Sequence, residues 1–300
     1  MKKNIFKAIA LTVAATACMG IFAACGETAD NVSNGKVKMI DVALSSESYG
    51  VAVNKDDADL LATVNQVITD NAAAIATMID EYIAAGEEAT DYVEGVVTYE
   101  DSMANNDAYL IMATDAPFAP WEYKVGENWG GIDIEIGYMI AEAMDKTLAV
   151  KQTAFDTICM AVSNGDADIG VAGLTITPAR EKTVTFSTPY YTDAYQVIVV
   201  NENDTTFDGC TTAEAIEAKL AAMTNGTNVG SQTGTTGAKF ITGDANDPDG
   251  FGFAGYANLT LKPYETHADA VRDMVNGQVS LCIVDNAVAA QIVAQINAAA

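Results

Sequence analysis

Histidine is nearly absent from this chain: His267 is the single one in 300 residues. That excludes a His-rich metal centre and leaves little material for a Ser-His-Asp apparatus; no metal or other cofactor is expected. Bases are scarce as well. Fifteen Lys and Arg face 41 Asp and Glu, for a formal net charge of −26 and a pI of about 4.1. Such a chain repels phosphate backbones, which speaks against DNA or RNA as a partner. It is also repelled by anionic lipid unless something anchors it. Beyond the first two dozen residues no run is long and apolar enough to span a bilayer. What the chain has in quantity is apolar residues, 50% of the total, enough to bury the core of two domains or of one domain split into two lobes.

The first residues read as an address. Lys2, Lys3 and Lys7 make a positive start, and Ala8 to Ala17 is an apolar stretch too short for a comfortable span, as in a signal peptide. Ile21-Phe22-Ala23-Ala24-Cys25-Gly26 follows and resembles the lipobox of bacterial lipoproteins, with Phe22 where Leu is usual. The resemblance implies cleavage after Ala24 and a diacylglyceryl group on Cys25. An ordinary secretory signal cut near the same place is the alternative. Loss of residues 1–24 removes three lysines and no acid, which takes the charge to −29. Residues 25–36 are polar and read as a tether. With Cys25 acylated, Cys159, Cys210 and Cys282 remain, an odd number that argues against a disulfide framework.

From 108 onward short apolar runs alternate with helical periods, which predicts an α/β fold. Strands are expected at 109–113, 148–150, 168–172, 227–230, 259–262 and 279–284, with Tyr195–Val200 as a crossover between lobes. Helices are expected over 132–144, 155–162, 212–223, 236–242, 267–275 and 286–298. Upstream, 49–53 reads as a strand, Asp56-Asp57 as the cap of a helix with Leu60, Leu61, Val64, Val67 and Ile68 on one face, and 72–84 as more helix. Residues 85–107 show no clear core face and read as a linker with partial structure. Two Asn-Gly pairs, at 164–165 and 276–277, each sit between a helical stretch and a buried strand, as left-handed helix stops do.

The strands before Gly173 and Asp285 end at residues able to bind a ligand, and in open α/β sheets ligands bind beyond the carboxyl ends of strands. Gly173 to Arg180 runs from a strand end into a helix start, with Thr177 as cap and Pro178 at the first position. Free N–H groups and the Arg180 guanidinium would clamp a carboxylate. Gly234-Thr235-Thr236-Gly237 offers hydroxyls and N–H groups to the same anion, and Asp285 could hold an ammonium. Thr177 and Asp285 could equally be plain helix caps, and Arg180 could pair with surface acids. Phe118, Trp121 and Phe155 supply aromatic walls or, equally, core packing. His267 reads as an exposed helix-start residue without a catalytic role.

In order and spacing, DAPFAPWEY, GIDIEIG, NGDADIGVAGLTITPAREKTVTFSTPYY, QTGTTG and VDNAVA resemble the polar amino acid-binding solute-binding proteins of bacterial ABC importers. The likeness covers about 190 residues from 108 onward. It implies a two-lobed periplasmic-binding-protein type II (Venus flytrap) α/β fold with a hinge near residues 42–48 and 191–197. It also implies a polar amino acid as ligand, an ABC transporter permease as partner, and a monomer held at the cell surface or in the periplasm by its lipid. The implied ligand contacts are Arg180, the Thr175 backbone and the Thr235/Thr236 loop for the α-carboxylate, and Asp285 with the carbonyl and hydroxyl around Gly173 and Thr175 for the α-ammonium, with Ala172 as a further ligand-binding position. Phe118, Trp121 and Phe155 would wall the pocket, with Asp115 and Gln232 reading the side chain. Lys, Arg, His or Gln is favoured over Asp or Glu, because no spare base accompanies these motifs; cystine and a small peptide-like ligand stay open. A periplasmic dehydratase-like enzyme on the same fold, using Asp115 or Glu122 as acid or base, is the competing class.

The family ordinarily continues past its VDNAVA helix with a strand, a hinge segment, a strand like YG(I/V)AV and a helix like LLxxVN. Those pieces stand at the front here, at 37–41, 45–53 and 59–65. The expectation is a circularly permuted domain over 37–300. Lobe 1 would be built from about 49–84 and 108–191, lobe 2 from about 37–41 and 197–300, with 85–107 as the joining linker. A truncated binding protein behind an unrelated small domain is the rival reading.

Overall fold

Several helices start where a short polar side chain takes one of the first free N–H groups, at Asp57, Thr177, Thr212, Thr235 and Thr266. The structure is a computed structural model that describes residues 35–85, 91–246 and 250–300. The expected leader, Cys25 and the tether up to residue 34 lie outside the described residues, as do 86–90 of the expected linker.

Strand β1 (Val37–Ile40) opens the described chain, followed by β2 (Glu47–Tyr49) and β3 (Ala52–Val53). The Asp57 carboxylate accepts from Leu60 N at 2.9 Å and starts α1 (Ala58–Asp70), which buries Leu60, Val64, Val67 and Ile68. α2 (Ala72–Ala85) continues after Asn71. Then come β4 (Val97–Thr98), β5 (Tyr109–Thr114), the hairpin β6 (Tyr123–Val125) and β7 (Asn128–Gly130), α3 (Ile132–Ala143) and β8 (Thr147–Gln152). A 3-10 turn at Phe155–Thr157 leads into α4 (Ile158–Asn164), and β9 (Ile169–Gly170), α5 (Pro178–Glu181), β10 (Thr185–Phe186) and β11 (Tyr191–Ala194) follow. The rest is β12 (Gln196–Asn201), α6 (Ala213–Ala221), β13 (Thr227–Gln232), α7 (Thr236–Thr242), β14 (Leu259–Tyr264), α8 (His267–Val275), β15 (Leu281–Asp285) and α9 (Asn286–Ala299).

These elements form two lobes. Lobe 1 carries a six-stranded sheet in the order β10-β3-β9-β5-β8-β4, and lobe 2 a five-stranded sheet in the order β1-β12-β15-β13-β14. The central pairings β5 with β8 and β9, and β13 with β14 and β15, are parallel, whereas β1 and β12, and β3 and β10, pair antiparallel. Between the lobes β2 and β11 pair antiparallel as a separate ribbon, one strand from each chain crossing. In lobe 2 the core is two-sided. Val197 and Val199 of β12 with Cys282 and Val284 of β15 face Val271, Met274, Ala289 and Ile292. Ile198, Val200, Leu281 and Ile283 face Phe240, Ile241, Ile216 and Leu220 on the other side. Alternation along a strand buried on both faces accounts for the unbroken apolar runs in the sequence. Each such side chain contributes about 1.5–3 kcal/mol on full burial.

Several expectations are corrected. The 49–53 run is not one strand: it splits at Gly50 and Val51, with β2 in the ribbon and β3 in lobe 1. Gly50 N donates to Leu174 O at 3.1 Å, and a Cβ on Gly50 would stand 2.9 Å from Ile176 Cδ1, so a larger residue there would have to displace the isoleucine tip. Tyr195–Val200 is not the crossover. Most of it is β12, inside the lobe-2 sheet, and the crossing is made by β11. The 168–172 strand shortens to two residues. Residues 91–107 are more ordered than a linker: β4 extends the lobe-1 sheet beside β8, Val93 is buried, and Trp129 Nε1 donates to Thr98 Oγ1 at 2.9 Å. Both Asn-Gly stops are as expected, with Gly165 and Gly277 at φ of 79° and 75°.

Candidate functional site

The residues singled out by the sequence stand at the carboxyl ends of parallel strands. β5 ends at Thr114 before Asp115, β8 at Gln152 before Phe155, β9 at Gly170 before Gly173, β13 at Gln232 and β15 at Asp285. The first three belong to lobe 1 and the last two to lobe 2, so the strand ends line a cleft from both sides.

At one end of the cleft Arg180 reaches across. Thr177 Oγ1 caps α5 by accepting from Arg180 N at 3.1 Å, and Pro178 fills the first helical position. The guanidinium donates from Nη1 to Thr175 O at 2.7 Å and from Nη2 to Gly234 O at 3.2 Å, and its carbon lies 5.1 Å from the centre of the Phe155 ring. It thus bridges lobe 1 to the Gly-Thr-Thr turn of lobe 2 while stacked on an aromatic face. Burial pulls its pKa below the ordinary arginine value, with Cys159, Glu47 and Asp285 opposing the shift. A guanidinium stays charged under such a shift.

The floor of the cleft holds two buried carboxyls. Asp285 is 5% exposed and accepts the Tyr49 hydroxyl at 2.5 Å; its side chain does not cap α9. Glu47, 2% exposed, accepts from Ser45 Oγ (2.6 Å) and Gln196 Nε2 (3.1 Å) through Oε1. Through Oε2 it accepts from Thr175 Oγ1 (2.7 Å) and Thr236 Oγ1 (2.8 Å). Burial raises both carboxyls, and the Asp285 charge adds to the rise at Glu47. Glu47 therefore ties the crossover strand to lobe 1 and to lobe 2 at once. It takes the two hydroxyls expected to serve a ligand, while Thr235 Oγ1 caps α7 through Ala238 N at 3.2 Å. Sequence reasoning missed Glu47 and Tyr49. A serine-rich turn ahead of a short apolar run carries no periodicity, and the only signal was that Glu47 lies in the expected hinge and Tyr49 directly after it.

The other end of the cleft is polar and aromatic. Asp115 accepts from Gln232 Nε2 at 2.8 Å across the cleft, from Phe155 N at 3.1 Å and from Gln152 Nε2 at 3.1 Å. Burial, opposed by the first two bonds, pushes it up to about 6. Gln232 Nε2 also donates to Glu265 O at 2.8 Å. Phe118 is 7% exposed and packs beside Gly173, whose φ of +52° and lack of a side chain are both required: a Cβ there would stand 2.7 Å from the Phe118 ring. His267 corrects an expectation. It does begin α8, behind the Thr266 cap, but it is 2% exposed because Phe118 stacks on it at 5.6 Å and 29°. Its Nε2 is 3.7 Å from Asp285 Oδ2, longer than a hydrogen bond, and burial lowers it to about 3, so it is a neutral imidazole.

Three residues lie behind the surface of the cleft. Trp121 is fully buried with its ring edge-on to Tyr49 at 5.0 Å and 4.9 Å from Tyr191, under the ribbon rather than on a wall. Ala172 is fully buried in the lobe-1 core. Glu122 is also fully buried; its carboxyl lies beside Asp133, which accepts from Gly173 N at 2.6 Å. Burial, then the charge of Asp133, pushes Glu122 well above the carboxylate range, and burial brings Asp133 to about 7. Cys159, Cys210 and Cys282 are free thiols. Among the described residues no cluster of His, Cys, Asp and Glu is placed to hold a metal ion, and no helix is long and apolar enough to cross a membrane.

Comparison with known proteins points one way. The profile of the bacterial extracellular solute-binding proteins, family 3, matches residues 110–294. The chain is 35% identical over 89 residues to the arginine-binding extracellular protein ArtP of Bacillus subtilis (strain 168), covering 30% of this chain and 35% of that protein. It is 27% identical over 180 residues to a putative ABC transporter arginine-binding protein 2 of Escherichia coli (strain K12), covering 60% and 64%. The matched part thus spans less than two thirds of these curated relatives. Among solved structures, an ancestral arginine-binding protein bound to arginine superposes with a TM-score of 0.52 at 30% identity, covering 63% of this chain and 74% of that one.

Proposed function

Because the chain belongs to the bacterial extracellular solute-binding proteins of family 3, we propose that its cleft captures a polar amino acid outside the cytoplasm and delivers it to an ABC permease. The observation that carries this reading is that Arg180, which spans both lobes, and the buried carboxyl of Asp285 at a lobe-2 strand end share one cleft, with the Asp285 charge acting on the guanidinium. Burying a zwitterion demands that both its charges be met, and these two groups meet them. In this reading Thr175, Thr235, Thr236 and Gly173 would complete the α-group contacts through their backbone groups, because Glu47 already holds the Thr175 and Thr236 hydroxyls.

The cleft favours a cationic side chain. Against Arg180 it sets Glu47, Asp115 and Asp285, a surplus of acid that a zwitterion alone does not balance. The relatives named as arginine-binding support the same class. Delivery follows from closure about the β2–β11 ribbon, since only the closed form touches a ligand from both lobes. We read Cys25 as lipid-modified, which would anchor an otherwise repelled acidic protein. We read the chain order as rotated; the pairing of β1 with β12 and of β3 with β9 supports that order. A second reading, an enzyme of the dehydratase kind, draws on Asp115, whose pKa of about 6 suits proton transfer.

Calorimetric titration of the twenty amino acids, with product analysis of each bound ligand, tests the proposal. A basic amino acid should bind unaltered and Arg180→Ala should lose binding of every amino acid. Wild-type affinity in Arg180→Ala, or turnover of the ligand, would overturn it.

A further inference from the structure

His267 is the one histidine of the chain, and its placement has a cost that folding alone does not explain. It is 2% exposed, yet neither ring nitrogen has a hydrogen-bond partner. A buried donor and acceptor left without partners each carry an uncompensated desolvation penalty. A leucine at the first position of α8 would pack against Phe118 without that cost, and the Thr266 cap starts the helix without help from the imidazole.

The surroundings say what the ring faces. One face stacks on Phe118 of lobe 1. Nε2 looks toward Asp285 Oδ2 at 3.7 Å, while Asp285 Oδ1 is already taken by Tyr49. Two residues upstream, Glu265 O accepts from Gln232, the residue whose amide also reaches Asp115. His267 therefore sits between the ammonium-binding carboxyl and the polar end where a ligand side chain would lie. Both N–H groups of the Gln232 amide are already engaged there, and Asp115 offers oxygen. The groups left for a ligand at that end are acceptors, which calls for a ligand rich in N–H donors.

We propose that His267 is a specificity-determining residue of this site: stacked on Phe118, its imidazole accepts a hydrogen bond from an N–H donor on the ligand side chain. The inference rests on the amino-acid reading above and goes beyond it by assigning the reader of the side chain. Neutrality of the ring, held by burial, makes an acceptor nitrogen available across the physiological range.

The test titrates the full chain, His267→Leu and His267→Gln with L-arginine, L-lysine, L-glutamine and L-methionine, with a thermal melt of each variant to verify folding. The expected result is that His267→Leu shifts the affinity ratio between the best N–H-bearing ligand and L-methionine by about tenfold or more against the former. His267→Gln, which keeps an acceptor, should recover part of that shift. An equal fall for all four ligands would place His267 with the α-group machinery, and unchanged ratios would make it packing alone; either overturns the inference. Failure of the wild type to bind any amino acid would instead overturn the functional reading beneath it.

Discussion

Tyr49 donates its hydroxyl to Asp285 over 2.5 Å, which joins the crossover ribbon to the end of a lobe-2 strand at the floor of the cleft. The tyrosine is fully buried, and its ring packs against Trp121, Tyr190 and Tyr191. The acid that would hold an ammonium is thus oriented by the element about which the lobes would move. Tyr49→Phe keeps the ring packing and leaves Asp285 Oδ1 without its donor. Urea denaturation of the ligand-free protein should show a loss of about 1–3 kcal/mol. The loss should shrink when a saturating amino acid supplies an ammonium in its place. Unchanged stability in Tyr49→Phe would show that water replaces the hydroxyl without cost.

Asp115 should govern both preference and acid sensitivity. Its carboxyl titrates at about 6, raised by burial. A cationic ligand needs the charged form, so affinity should be near full about one unit above pH 6 and fall by up to about tenfold per pH unit below it. Asp115→Ala should flatten that profile, weaken basic amino acids and spare neutral ones, because Arg180 and Asp285 remain to hold the α-groups. Titrations at pH 5 and 7.5 decide it: a profile that keeps its slope in the variant would assign the acid sensitivity to Glu47 or Asp285.

How far the sequence foretold this site depends on how local each signal is. Thr177, Pro178 and Arg180 were legible because a cap, a first-turn proline and a charged side chain lie within four residues, and the structure has the Thr177 cap and the Arg180 bridge. The Asn-Gly stops and the two-sided strands were legible for the same reason. Glu47 was not, because its four donors come from Ser45, Thr175, Gln196 and Thr236, three of them more than a hundred residues away. His267 was misread because helix-start position predicts exposure, and the ring that covers it belongs to the other lobe. β4 was missed because a two-residue edge strand carries too little pattern to stand out.

The buried pair of Glu122 and Asp133 should make the protein more stable in mild acid. Asp133 titrates at about 7 in the folded protein against an ordinary value of 3.8, with burial as the main cause. Between those values the folded state holds a proton that the unfolded chain releases. The stabilising contribution is therefore complete below pH 3.8 and is lost as pH rises through 7. The melting temperature should fall from pH 5.5 to pH 8. Asp133→Asn keeps an acceptor for Gly173 N and removes the titration, so its melting temperature should fall less over that span. The −26 net charge contributes a similar slope to both proteins, so the difference between them reports Asp133 and its coupling to Glu122, which still titrates in the variant. Parallel slopes in the two would exclude it.

The proposed rotation of the chain order makes a prediction about connectivity rather than chemistry. The Asn297 side chain accepts from Val37 N and donates to Val37 O, both at 2.9 Å, so the end of α9 lies against the start of β1. A chain that runs 91–300, then a short Gly-Ser joint, then 36–85 would restore the order the family ordinarily shows. It would keep β4 beside β8 and keep every contact of the cleft. Loop closure costs only slowly more with length, and the joint closes a gap that Asn297 already bridges. This rearranged chain should unfold in one cooperative transition and bind the same amino acid within about threefold, or 0.65 kcal/mol. Calorimetry on both chains decides the matter. A rearranged chain that binds nothing, although it is folded by circular dichroism, would mean that β1 and β2 are not interchangeable with the family's closing strands. The front segment would then be an addition that happens to complete the sheet.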